Sequence, residues 1–93
     1  MSDQPPAQYV VELAPAAERV LRKLDKPIAR RLAAAMAALR HDPRPPASTP
    51  LVGHPGALRL RVGDYRVVYR VEDSRLLVLV LDLGHRREVY RNW

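Results

Sequence analysis

The sequence contains no cysteine. A disulfide framework and a thiolate zinc site are therefore excluded, and a reducing compartment is the natural setting. Long apolar stretches are missing as well. The run Leu76–Leu81 is six residues and Leu32–Leu39 eight, against the roughly 20 that a membrane-spanning helix requires. Residues 1–8 are polar and carry prolines, with neither the basic start nor the apolar stretch of a secretory signal. A cytoplasmic protein with no membrane partner is expected. No carboxylate cluster and no ligand spacing points to a metal, and nothing points to another cofactor. Lysine is scarce, with two residues, whereas arginine has fourteen.

That arginine excess gives the 93-residue chain a formal net charge of +6 and a pI near 10.5. Such a balance favours an anionic partner, with nucleic acid or an acidic protein ahead of a membrane. The guanidinium fork fits phosphate better than an ammonium does. Twelve alanines accompany the arginines, which is equally what a GC-rich coding sequence produces, so composition alone leaves both readings open.

The length implies one domain with one modest core. Residues 1–8 read as a disordered tail and residues 9–93 as the domain. Tyr9–Leu13 is short and β-rich, a first strand. Pro15 opens a helix in which Ala17, Val20, Leu21 and Leu24 recur at helical spacing. Asp25 is a candidate N-cap for a second helix with the apolar stripe Ile28, Leu32, Met36 and Leu39. It ends near Asp42, because Pro43 disfavours helical geometry before it. The two helices form an antiparallel hairpin. Pro43–Gly56 holds five prolines and two glycines and reads as an irregular connector. Three strands follow, Leu58–Val62, Tyr65–Glu72 and Leu76–Leu83, joined by turns at Gly63-Asp64 and Asp73-Ser74. The expected fold is α+β: a strand, a helix hairpin, then a three-stranded antiparallel meander. Together these make a four-stranded sheet with the helices on one face.

With Gly63-Asp64 at the turn, Val62 faces Tyr65, Arg61 faces Arg66, Leu60 faces Val67 and Arg59 faces Val68. Side chains alternate across a sheet, so Leu58, Leu60, Val62, Tyr65, Val67 and Tyr69 share the core face. Arg59, Arg61, Arg66 and Arg70 share the other. Like charges opposite one another destabilise a ladder, where an opposite-charge pair contributes roughly 0.2–1 kcal/mol. The cluster makes sense if a polyanion lies there. The plainer alternative is a solvated face with its charges screened or paired to Glu72 or Asp82. After the last strand, Gly84 permits a turn. His85 and Arg86 emerge near the turn side of the arginine face, and Tyr90 offers a ring for stacking and a phenol. A lone histidine or tyrosine is more often a packing residue.

The stretches Leu58-Arg-Leu-Arg-Val-Gly-Asp-Tyr-Arg-Val-Val-Tyr-Arg-Val71 and Leu83-Gly-His-Arg-Arg-Glu-Val-Tyr90 strongly resemble the RelE/ParE toxin superfamily. The resemblance extends from about Tyr9 to Tyr90. It implies a type II toxin that acts as a metal-independent endoribonuclease on mRNA in the ribosome, through attack of a ribose 2′-OH on the adjacent phosphate. The positions matching the family's RNA-handling residues are Arg59, Arg61, Arg66, Arg86 and Tyr90. On this reading Arg61 and Arg66 face the phosphorane, Arg59 positions the backbone, Arg86 sits at the leaving 5′ oxygen, and Tyr90 orients or stacks the nucleotide. Arg70 and Arg87 add RNA-binding charge. The best-known members carry lysines where Arg59 and Arg61 stand, and arginine effectively cannot lose its proton. Either electrostatics carries the reaction, or His85 or Tyr90 moves the proton. The resemblance also implies a cognate RelB-like antitoxin with an acidic helical segment, and DNA binding only through the antitoxin complex. The rival readings are a ParE-like inhibitor of DNA gyrase and a non-catalytic nucleic-acid or ribosome-binding module.

Overall fold

Alternation writes the first strand, β1 (Val10–Leu13): Val11 and Leu13 turn toward the core, while Val10 and Glu12 are exposed. Two helices follow directly, α1 (Pro15–Lys23) and α2 (Lys26–Ala38). Each has a proline in its opening turn, where the missing N–H costs nothing. Asp25 holds the N-cap position of α2 as expected, but its side chain makes no capping hydrogen bond. Four further strands complete the chain: β2 (Ser48–Pro50), β3 (Ala57–Val62), β4 (Tyr65–Glu72) and β5 (Leu77–His85). The structure, a computed structural model, describes residues 8–87 and 93. The expected tail, apart from Gln8, lies outside the described residues, and so does Tyr90. Among the described residues, no helix is long and apolar enough to cross a membrane.

The strands form one five-stranded mixed sheet in the order β1-β5-β4-β3-β2. The α+β class stands as expected, and the sheet differs in detail. The fifth strand is β2, which lies inside the proline-rich connector and pairs antiparallel with β3 through Ser48–Leu60, Thr49–Arg59 and Pro50–Leu58. Proline tolerates this place because an edge strand leaves one row of N–H positions unused. β1 closes the opposite edge by running parallel to β5, with Val11 beside Val78 and Leu13 beside Val80. The β4–β5 link is a short 3₁₀ turn, Asp73–Arg75, and not a two-residue turn. Leu76 completes it in the left-handed region, at φ 48°.

The core lies between the helices and one sheet face. Ala17 from α1, Leu32 and Met36 from α2, and Leu39 just beyond it meet Leu60, Val67, Tyr69, Val78, Val80 and Leu83. β5 is the most apolar strand because it is central, flanked by β1 and β4. The connector is held to the body by polar contacts. The buried Tyr69 hydroxyl donates to the Pro43 carbonyl at 2.8 Å. Arg44 grips both carboxylate oxygens of Asp73 at 3.0 and 2.9 Å, and the Tyr9 hydroxyl donates to the same carboxylate at 2.7 Å.

Candidate nucleic-acid interface

The β3–β4 hairpin sets the site. Its register pairs Val62 with Tyr65, Arg61 with Arg66, Leu60 with Val67, and Arg59 with Val68, as the turn chemistry predicted. Gly63 takes φ +60°, a conformation that suits the first central residue of a tight hairpin turn. Since Leu60, Val67 and Tyr69 are core residues, alternation sends Arg59, Arg61, Arg66 and Arg70 to the sheet face away from the helices.

Arg66 is the most constrained member. It is 7% exposed, the only charged residue among the buried ones described. One guanidinium nitrogen, Nη1, reaches the carbonyl of Tyr65 at 3.2 Å, the upper end of the hydrogen-bond range, and that of Gly63 at a longer 3.4 Å. Its Nε is buried with no partner among the described residues. A guanidinium buried with an idle donor is costly on its own, and an added anion would satisfy it. Arg61, directly opposite, is exposed. The carboxylates that might have neutralised this face are engaged elsewhere: Glu72 takes Arg75 at 3.2 Å, and Asp82 Oδ2 takes the indole N–H of Trp93 at 3.0 Å. Arg59 is tied into the surrounding structure. Arg70 donates to the Pro55 carbonyl at 3.4 Å, beside the connector.

The end of β5 returns to the same turn. The Arg86 backbone N–H donates to the Asp64 carbonyl at 2.9 Å, so Arg86 is pinned beside Gly63-Asp64, the turn that Arg66 also reaches. Arg86 and Arg87 are exposed. His85 goes elsewhere. It pairs with Tyr65, a core-face position, and the two rings meet edge-to-face at 5.7 Å. Its Nδ1 lies 3.4 Å from the Arg87 backbone N–H. The structure therefore gathers Arg59, Arg61, Arg66 and Arg70 on one face and Arg86 at its end, and turns His85 to the other side of the sheet. Tyr90 lies outside the described residues.

Sequence reasoning passed over two features of the site. Arg31 on α2 comes so close to the hairpin turn that a Cβ on Gly63 would lie 3.1 Å from its Nη2, adding a further guanidinium near that end. Its position off the apolar stripe was the available signal. Trp93 lies against Asp82 and against His54, and no periodicity could have paired those residues. Among the described residues, no group of three or more acidic or histidine side chains is placed to hold a metal ion.

The comparisons with known proteins agree with this geometry. Residues 11–90 match the family model described as the ParE toxin of the type II toxin–antitoxin system parDE. Toxin RelG of Mycobacterium tuberculosis is 39% identical over 36 residues, a match spanning 39% of this chain and 41% of that protein. Among solved structures, the toxin–antitoxin complex RelBE2 of M. tuberculosis matches with TM-score 0.77 and 30% identity, covering 90% of this chain and 98% of that one. The isolated RelE toxin of Escherichia coli matches with TM-score 0.73 and 28% identity, covering 90% and 93%. The intact E. coli RelBE toxin–antitoxin complex matches with TM-score 0.71 and 29% identity, covering 83% and 95%. With the family model spanning most of its length and RelE toxins sharing its fold, the chain belongs to the RelE/ParE superfamily of type II toxins.

Proposed function

We propose that this toxin is a ribosome-dependent mRNA endoribonuclease of the RelE kind, silenced by a cognate antitoxin. Arg66 carries the proposal: a buried guanidinium with an idle Nε, set opposite the exposed Arg61 on the sheet face away from the helices. In the reaction a ribose 2′-OH attacks the adjacent phosphorus. The P–O2′ bond forms as the 2′-OH proton passes to solvent, the P–O5′ bond breaks as the leaving oxygen takes up a proton from solvent, and the products are a cyclic phosphate and a 5′-hydroxyl. Negative charge builds on the non-bridging oxygens during this step, and fixed donors aimed at them stabilise it. Arg61 and Arg66 take that role, Arg59 positions the backbone, Arg70 and Arg87 add binding charge, and Arg86 stands at the leaving oxygen. Tyr90 keeps the part the family resemblance gives it, orienting the nucleotide. Because His85 faces Tyr65, electrostatic stabilisation by the arginines is favoured over proton transfer by His85.

The partner follows from charge and from the relatives. RelBE2 and E. coli RelBE were solved as toxin–antitoxin complexes, which supports a RelB-like antitoxin here. A groove of about 380 Å³ between α2 and β3 is lined mainly by apolar residues, Ala35, Ala38, Leu39, Leu60 and Val62 among them, with Arg61 and Asp42 also on its wall. An amphipathic acidic helix suits such a groove, on a chain of net charge +6. Ribosome and message are the targets, in the cytoplasm, and DNA is met only through the antitoxin complex.

A second reading, inhibition of DNA gyrase, is favoured by the family model's description as a ParE toxin. One experiment separates the two. Wild type and Arg66→Ala are induced in cells, primer extension is run on a translated reporter, and purified toxin is added to a gyrase supercoiling assay. Breaks within codons of translated message, present only with the wild type, are expected. Growth arrest with intact message and stalled gyrase would replace the nuclease with the gyrase inhibitor.

A further inference from the structure

Three residues outside the arginine set meet on the arginine face. Trp93 donates its indole N–H to Asp82 Oδ2 at 3.0 Å. Its ring meets His54 edge-to-face, with centroids 4.9 Å apart and planes 69° apart. Asp82 belongs to the register row Arg59–Val68–Asp82, and the next row on that face is Arg61–Arg66–Gly84. His54 lies beyond β4, just ahead of β3, where its carbonyl accepts the Ala57 N–H at 3.0 Å. The indole therefore spans β4 between two anchors, across a stretch where Val68 is fully buried. Asp82 is itself fixed, since its Oδ1 accepts the Leu83 backbone N–H at 2.9 Å.

A carboxylate on a strand beside guanidiniums would ordinarily be spent on a salt bridge. Here one oxygen holds an indole, and an edge-to-face contact, a favourable aromatic geometry, steadies the other side of the ring. Trp93 remains only half-buried, so part of its surface is open. Fixing an aromatic ring in advance removes the ordering cost from a later stacking event. Sites for single-stranded nucleic acid pair a cationic track for the backbone with such rings for the bases. Successive rows on one sheet face lie about 7 Å apart, within the span from a nucleotide's phosphate to its base.

We propose that Trp93 is the platform on which a nucleobase stacks while the adjoining phosphate is held at Arg61 and Arg66, with Asp82 and His54 as positioning residues for the ring. The proposal rests on reading this face as an RNA site. Trp93 is the single tryptophan, so its fluorescence reports on this ring alone. Purified toxin is titrated with a short single-stranded oligoribonucleotide and with the same oligomer made abasic. Binding is followed independently by the anisotropy of a label on the oligomer. Cleavage of ribosome-bound message is then compared among wild type, Trp93→Phe and Trp93→Leu, with melting temperatures recorded for each.

Quenching that tracks binding of the intact oligomer and is absent with the abasic one is the expected result. Trp93→Phe keeps a ring but loses the bond to Asp82, and should cleave more slowly than wild type and faster than Trp93→Leu. Trp93→Leu keeps an apolar side chain but has no ring, and should lose about tenfold or more, the size of a lost base–aromatic stack. Binding without quenching, or equal activity of the Phe and Leu variants, overturns the platform and leaves the RNA site standing. If the free oligomer does not bind but message is cut, the Phe–Leu comparison on the ribosome decides. If Trp93→Leu does not fold, quenching in the wild type decides, or failing that a Trp93→Met variant takes its place. Absence of both binding and cleavage overturns the RNA reading, and the platform with it.

Discussion

Arg61 and Arg66 stand directly opposite each other on β3 and β4, and neither meets a carboxylate among the described residues. The arrangement runs against sheet stability, since like charges across a ladder repel. It also concentrates donors where an anion would be bound. Stability and activity should therefore move in opposite directions when one of the pair is replaced.

Arg61→Thr is the cleaner test, because Arg61 is exposed and its removal opens no cavity. Relief of the repulsion, with a β-branched residue gained in a strand, should stabilise the fold by about 0.2–1 kcal/mol. For a chain of this size that raises the melting temperature by up to about 4–8 °C. Message cleavage should fall by about 10²–10³-fold, the usual cost of removing one preorganised donor. A variant that melts lower than wild type would show that Arg61 contributes to the fold instead of straining it.

His85→Ala addresses proton movement. The His85 ring packs edge-to-face on Tyr65 at 5.7 Å, on the side of the sheet away from Arg66. Its removal should lower the rate modestly, through loosened support of the strand end, and leave the pH–rate profile with its shape unchanged. Loss of an inflection from that profile in the variant would return His85 to the role of general acid or base.

Much of this architecture was legible in the sequence because local chemistry and tertiary structure agree there. Gly63-Asp64 between two alternating segments fixes the hairpin register, and the register alone puts the arginines on one face. The stripe Leu32, Met36 and Leu39 turned inward for the same reason of period. The features that stayed hidden depend on distant partners. Ser48–Pro50 becomes a strand only because β3 offers it an edge, and of its own residues only Thr49 favours a strand. His85 was assigned to the arginine side by proximity. A shift of register between Val68 and Tyr69 makes Leu81 the extra residue of β5, and past it Tyr65 meets His85 on the core face. Trp93 on Asp82 joins residues whose meeting no local rule anticipates.

Asp73 should give the fold an acid-sensitive contact. Hydrogen bonds from Arg44 and then from Tyr9 pull its carboxyl down from 3.8 to about 2. A carboxyl whose pKa is lower in the folded state contributes stability that is fully present above its unfolded value. That contribution fades as pH falls from about 4 through about 2. Asp73→Asn should therefore melt below wild type near neutrality, with the gap closing as pH falls through that window. The carboxylate is exposed, so the gap should be small and should shrink in high salt. A gap that persists unchanged below pH 2 would mean that Asp73 acts through packing or turn geometry and not through its charge.

Tyr69 ties the core to the connector, and its hydroxyl can be removed without touching the packing. The side chain is fully buried, burial raises its phenol pKa above the usual value, and the hydroxyl donates to the Pro43 carbonyl at 2.8 Å. Tyr69→Phe keeps the ring in place and deletes that bond, together with the hydroxyl's contact with Ser48. The expected loss is about 0.5–1.5 kcal/mol, read as a lower denaturant midpoint with an unchanged slope. Because the bond holds the start of the segment that carries β2, limited proteolysis within Pro43–Gly56 should also speed up in the variant. Unchanged proteolysis alongside lowered stability would assign the bond to the core alone and leave Arg44–Asp73 as the tether of the connector. Faster proteolysis that Arg44→Ala increases further would show that the two contacts hold it independently.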